Sequence, residues 1–200
     1  MSDLFELLGV EYHWPNKDDR FLTGQGRWPT RTSIDGWDQS FDCFVWTFTN
    51  AAETLVKSVT SNHQPAARII WPTLFLYRHA IELSLKKCIA DITEYLDGEP
   101  NVPSHHKLRE LKMQLLMLFG RLDLPTDDDS TIGFSNLLDE ISQFDPDGTV
   151  FRYPIDKRGL RQSLPTKEID VVDLQKGAMK VLNFLHCVSE EIGQRSTSYC

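Results

Sequence analysis

Three groups of side chains in this chain have types and spacings that suit binding or proton transfer. The first is Tyr77-Arg78-His79-Ala80-Ile81-Glu82-Leu83-Ser84-Leu85-Lys86, where Arg78, Glu82 and Lys86 recur every fourth residue. On a helix that spacing stacks them along one stripe, where opposite charges pair in sequence. On a solvated face such pairs contribute little. Inside a bundle the same charges demand full pairing. The stripe therefore reads either as a salt-bridged face or as a polar row lining a groove between helices. His79 lies about 100° further round the helix from Arg78. It reads first as a packing or hydrogen-bonding residue and second as a catalyst.

The second group is His105-His106 at the start of a third predicted helix. Adjacent helical residues point apart, so the two do not chelate as a pair. A metal site would need His63 or His79 as a further ligand, and no ligand spacing recurs, so no metal is expected. His106 can instead hydrogen-bond the long helix and hold the turn. The third group is Phe151-Arg152-Tyr153-Pro154, followed by Lys157, Arg158 and Arg161. Arginines interleaved with aromatics stack on bases and contact phosphates. The structural alternative is a hairpin whose Phe151 and Tyr153 pack on the bundle while Arg152 pairs with Asp145 or Asp147. There is no Gly-rich phosphate loop and no Gly-x-Ser-x-Gly, and no cysteine sits in a recognisable nucleophile setting. No cofactor is expected.

The elements that must position these groups are helical. Between Asp38 and Ser61-Asn62, the residues Phe41, Phe44, Val45, Phe48, Ala51, Ala52, Leu55 and Val59 recur at three- and four-residue steps. A longer helix is predicted over 66–96, with Pro72 either bending it or marking a later start. Ser104 is the predicted N-cap of a third helix that stops at Gly120. A fourth is predicted over 131–144. Thr149–Pro154 and Arg161–Leu164 read as two short strands around Lys157-Arg158-Gly159. Asp170 or Asp173 caps a last helix. The expected fold is mainly all-α, an up-and-down bundle of four to five helices with a short β-hairpin near 149–165. An irregular N-terminal arm (1–36) carrying Trp14, Trp28 and Trp37 precedes the bundle domain (37–193), and a frayed tail (194–200) follows.

Two hundred residues suffice for one core without metal or disulfide staples. The formal net charge of −8 excludes a basic footprint over the whole surface. Any nucleic-acid contact must be a local patch working against the global field. Three of the four cysteines fall in apolar helical runs and read as reduced core thiols. The start, Met-Ser-Asp-Leu-Phe-Glu, is acidic and lacks an apolar core of the signal type. The longest apolar stretch, Ile69 to Tyr77, is too short to span a bilayer. The expected location is cytoplasmic, without a membrane partner.

Arg78 to Lys86, with His106-Lys107-Leu108-Arg109-Glu110-Leu111, resembles the HEPN group, the higher-eukaryote and prokaryote nucleotide-binding bundles. Members commonly carry an alanine, a glutamate and a lysine at this spacing, then His-x-Leu-x-x-Leu opening the next helix. Phe151-Arg152-Tyr153-Pro154 is similar to a segment of some bacterial HEPN-like proteins. The resemblance covers roughly half the chain. It implies a bundle that often dimerises and works in prokaryotic phage defence, toxin–antitoxin pairs or beside a nucleotidyltransferase. Many members cleave RNA through an Arg-x(4–6)-His motif. None of His13, His63, His79, His105, His106 or His186 has an arginine five to seven residues before it. Lysine takes that place before His63 and His186, without arginine's bidentate fork.

These readings combine into a HEPN-like module, not an evident nuclease, that binds a nucleotide, RNA or a partner protein as a homodimer. Its groove would be lined by Arg78, Glu82, His106, Arg152 and Tyr153. Arg78 and Arg152 would contact anions, Tyr153 would stack, and Glu82 would orient Arg78. One alternative is a metal-independent ribonuclease using His79, His106 or His186. Another is a structural bundle whose charged stripe is a dimer seam.

Overall fold

A computed structural model describes residues 15, 17–20, 39–162, 164–166 and 168–197. The chain divides into two units, Met1–Asp38 and Gln39–Cys200. In the first, a turn at residues 17–20 is described, where the Arg20 guanidinium donates to the carbonyls of Lys17 (3.3 Å) and Asp19 (2.9 Å). The tryptophans of the expected arm, and Cys200 at the expected tail, lie outside the described residues.

The second unit is a helical bundle: α1 (Phe41–Thr60), a 3-10 turn (Ala66–Arg68), α2 (Ile70–Asp97), α3 (Leu108–Arg121), α4 (Asp129–Phe144) and α5 (Val171–Thr197). The centre is α2, which is in contact with α1, α3 and α5, while α4 packs between α3 and α5. Pro72 is the third residue of α2. There its missing N–H costs nothing, because the first turn has no intrahelical acceptor to satisfy. At the other end Gly98 takes a left-handed φ of 82° and its N–H donates to Glu94 O. That cap closes the last turn at a conformation glycine adopts without strain.

The core follows from how apolar α2 is around its circumference. Tyr77, Ile81, Leu85, Ile89 and Ile92 are at most 1% exposed. They pack with Val56 of α1, Leu108, Leu111 and Leu115 of α3, and Val181 and Leu185 of α5. Burying each such side chain stabilises the fold by about 1.5–3 kcal/mol. From α4, Phe134 stacks on Phe184 of α5 with centroids 4.3 Å apart. Polar ties fix the helix register. The Tyr77 hydroxyl donates to Glu53 Oε1 at 2.5 Å, and the Gln175 amide donates to the other oxygen of that carboxylate, joining α1, α2 and α5. Cys88 is buried against Leu185 O and Ser189, and burial pushes its thiol up to about 12. Cys43 and Cys187 are also free thiols.

Four local expectations change. Helix α3 begins at Leu108, not after Ser104, because Arg78 and Glu82 bind His106 and hold this segment out of the helix. Gly120 does not stop α3, which runs to Arg121. The described part of α5 continues through Gly193 to Thr197, where fraying was expected. No strand is present among the described residues. In place of the expected hairpin there is a turn at 149–153, with Thr149 O accepting from the Arg152 and Tyr153 amides, and one antiparallel bridge between Ile155 and Arg161. The strand reading fails over 149–153 because Asp145 Oδ1 takes the Val150 N–H and Gly148 turns at a φ of 74°, so pairing is reduced to the single bridge beyond it. Among the described residues no helix is long and apolar enough to cross a membrane.

Candidate functional site

The stripe read from the sequence is buried. Arg78 and Glu82 are each 2% exposed and Lys86 is 7% exposed. Charges this deep require partners, and each has them. Arg78 Nη1 donates to Glu82 Oε2 at 2.7 Å and Nη2 donates to the His106 carbonyl at 2.6 Å. Arg78 Nε lies 3.1 Å from Asp145 Oδ2, within ion-pair range but not aligned as a hydrogen bond. Glu82 Oε1 takes Lys86 Nζ at 3.0 Å and His106 Nδ1 at 2.7 Å. Two cations, Arg78 and Lys86, balance two carboxylates, Glu82 and Asp145. The cluster is therefore neutral without a proton on His106. Burial pushes the Glu82 carboxyl up, but hydrogen bonds from His106, Lys86 and Arg78 outweigh it and hold the group below the usual carboxylate range.

The lid of this cluster is the 145–150 turn. Asp145 is wholly buried, and its Oδ1 accepts the Val150 N–H at 2.9 Å. Gly148 has a φ of 74° and lies so close over the guanidinium that a Cβ would meet Arg78 Cζ, Nη1 and Nη2 at 3.0 Å. Only glycine gives the turn this close approach. On the far side of Gly148, its carbonyl accepts from Arg152 Nε at 2.5 Å. The two arginines of the expected groove thus both approach the Gly148 turn, Arg78 buried and Arg152 exposed.

Arg152 is exposed, and Phe75 and His79 beside it are half-buried. The Arg152 guanidinium carbon sits 5.9 Å from the centroid of the Phe75 ring. No hydrogen bond or ion pair engages its two terminal nitrogens among the described residues. Phe75 stacks on His79 at 5.7 Å, and Phe48 meets the other side of His79 edge-on at 4.5 Å. Burial lowers the His79 pKa, opposed by Glu82 and assisted by Arg78 and Arg152, which favours the uncharged ring. Phe151 is 5% exposed and anchors the turn, whereas Tyr153 is 57% exposed. Trp71, Val150, Phe151, Arg152, Tyr153, Pro154, Arg161 and Gln162 line a pocket of about 480 Å³. Among the described residues two arginines line it and no carboxylate does.

The structure therefore brings Arg78, Glu82 and His106 together with Lys86 and Asp145, and sets Arg152 and Tyr153 in an adjoining pocket with Trp71 and Arg161. His106 keeps an exposed side chain while its carbonyl and Nδ1 are engaged. His186 is exposed on α5 and makes no hydrogen bond or ion pair with either group among the described residues. Among those residues no cluster of three or more His, Cys, Asp or Glu is placed to hold a metal ion. The sequence reading passed over Trp71 and Phe75. Their signal was the four-residue step Trp71, Phe75, His79, a second stripe on α2 beside the charged one. Comparison with protein-family models, with curated proteins and with solved structures yields no match.

Proposed function

We propose that this chain is a HEPN-like binding module that holds the base and phosphate of a nucleotide or single-stranded RNA in the Trp71–Arg152–Tyr153–Arg161 pocket. The observation that carries the reading is this pocket: exposed Trp71 and Tyr153 beside two arginines, with no carboxylate among the described lining residues, in a protein of net charge −8. An unpaired base offers a face for Tyr153 or Trp71 to stack on, worth about 1–3 kcal/mol per base. Duplex hides those faces, so single strands are preferred. Arg152 offers a guanidinium fork of the kind that binds phosphate in two places. The buried cluster of Arg78, Glu82, His106, Lys86 and Asp145 acts as the frame that holds the Gly148 turn, and through it Arg152, in position. The resemblance further supports a homodimer in a prokaryotic defence or toxin–antitoxin setting, with a partner protein encoded nearby.

The test is fluorescence anisotropy with labelled single-stranded RNA and with its duplex, in chelator. Single-strand binding should weaken on Tyr153→Ala and Arg152→Ala, with duplex bound less well. Equal binding by wild type and both variants would remove the pocket from the reading. The same incubations serve the ribonuclease alternative. Cleavage in chelator that is lost on His79→Ala, His106→Ala or His186→Ala would favour it over a module that binds and does not cut.

A further inference from the structure

On the other side of Phe151 lies a second cavity of opposite chemistry. It has a volume of about 410 Å³, within the range of small-molecule sites. Its walls come from α2, α4 and α5, with Leu74, Ile81, Leu137, Ile141 and Val181 among them. Protein interiors close-pack, and a void of this size in an apolar region forgoes contacts the fold would otherwise gain. The apolar floor of such an open cavity accepts the apolar body of a ligand. The rim is acidic. Glu140, Glu168, Asp170 and Asp173 line the mouth, and no lysine, arginine or histidine does among the described residues. Asp173 is paired with Lys176, and Asp170 is occupied capping α5. The Glu140 and Glu168 carboxylates have no hydrogen bond or ion pair among the described residues.

We infer that this cavity is a binding site for a small lipophilic cation: an amine whose aromatic or branched alkyl body fills the apolar floor while its ammonium group sits between Glu140 and Glu168. Charge complementarity selects this occupant. Among the described residues that line the mouth a carboxylate or phosphate ligand would meet only like charge, and a neutral hydrocarbon would leave both glutamates unanswered. The Arg152 pocket has the reverse bias, so the two cavities flanking Phe151 sort ligands by sign. This site is independent of the nucleotide reading and stands or falls separately.

The experiment uses the full chain and three named probes of similar shape: 2-phenylethylammonium, 3-phenylpropionate and ethylbenzene. Methyl NMR resonances of Leu74, Leu137, Ile141 and Leu174 are followed during titration. The ammonium probe should shift them saturably and bind about tenfold more tightly than the carboxylate, since each glutamate at the mouth attracts one probe and repels the other. Glu140→Gln combined with Glu168→Gln should bring the two affinities together. Both are surface changes that leave the core untouched. Gly177→Leu should abolish the shifts, because Gly177 lines the cavity and its Cβ direction meets Leu137 Cδ2 at 3.7 Å. Leucine is also a better helix former than glycine, so this blocked variant should remain folded. Equal affinity for cation and carboxylate, binding that survives Gly177→Leu, or no methyl shift from the ammonium probe at up to roughly 10 mM would overturn the inference.

Discussion

Replacing Gly148 with alanine should cost far more than the same replacement at Gly98, although both glycines have a positive φ. At Gly98, φ is 82° and a Cβ would meet nothing within 4 Å, so the cost is the left-handed backbone alone, about 1–2 kcal/mol. At Gly148, φ is 74° and the added carbon would sit 3.0 Å from three atoms of the Arg78 guanidinium. That guanidinium cannot retreat without loosening its 2.7 Å bond to Glu82 or its 2.6 Å bond to His106 O. Overpacking of a tight interior costs a further 1–3 kcal/mol, approximately. Gly148→Ala should therefore exceed Gly98→Ala by about 1–3 kcal/mol in urea unfolding followed by circular dichroism, with m unchanged. The extra cost should disappear when Arg78 is already alanine, which a double-mutant cycle measures as a coupling of similar size. Equal destabilisation at the two glycines, or an excess that persists without Arg78, would refute the lid.

Three further outcomes follow from the same geometry. Arg78→Ala leaves Glu82 and Asp145 as buried carboxylates short of a partner and should destabilise the bundle by about 3–5 kcal/mol in the same unfolding assay. The dimer-seam alternative needs an exposed stripe, and Arg78 and Glu82 at 2% exposure do not offer one. The Glu82 carboxyl is held below the ordinary carboxylate range, so its ionised form stabilises the fold. That contribution is full at neutral pH and is lost as pH falls through the ordinary range toward the lowered value. The stability gap between wild type and Glu82→Gln should accordingly be widest near pH 7 and narrow in acid, read by urea unfolding at a series of pH values. Trp71→Ala should weaken RNA binding by about 1–3 kcal/mol by loss of stacking, while Arg152→Ala should reduce the salt-dependence slope by about one, both read by anisotropy at several salt concentrations.

The helices were legible because their apolar residues repeat at helical spacing and face the core, as Phe48, Ala52, Leu55 and Val59 do in α1. The Arg78, Glu82 and Lys86 stripe was equally legible, but its burial was not. Periodicity cannot reveal which face a chain segment 60 residues away will cover, and here that segment is the Asp145–Val150 turn. The helix start at Ser104 was misplaced for the same reason, since tertiary bonds to His106 outweigh a favourable local cap. Phe151-Arg152-Tyr153 alternates like a strand, yet no partner strand is offered among the described residues, and Phe151 anchors a turn instead. Trp71 belonged to the pocket without being named, because at the start of an apolar run a tryptophan looks like core. The 45% exposure of that side chain is a fact of the fold and not of the composition.

The claim that a single-stranded ligand rests between Trp71, Tyr153 and Arg152 is tested most directly by where RNA touches the protein. Photo-cross-linking of a 4-thiouridine-substituted single-stranded RNA to the full chain, followed by peptide mapping, reports that position without relying on a mutation. Adducts on Trp71 or Tyr153, competed away by unlabelled single strand and not by duplex, are the predicted result. Adducts confined to other parts of the bundle, or none under conditions where the RNA is bound, would contradict it.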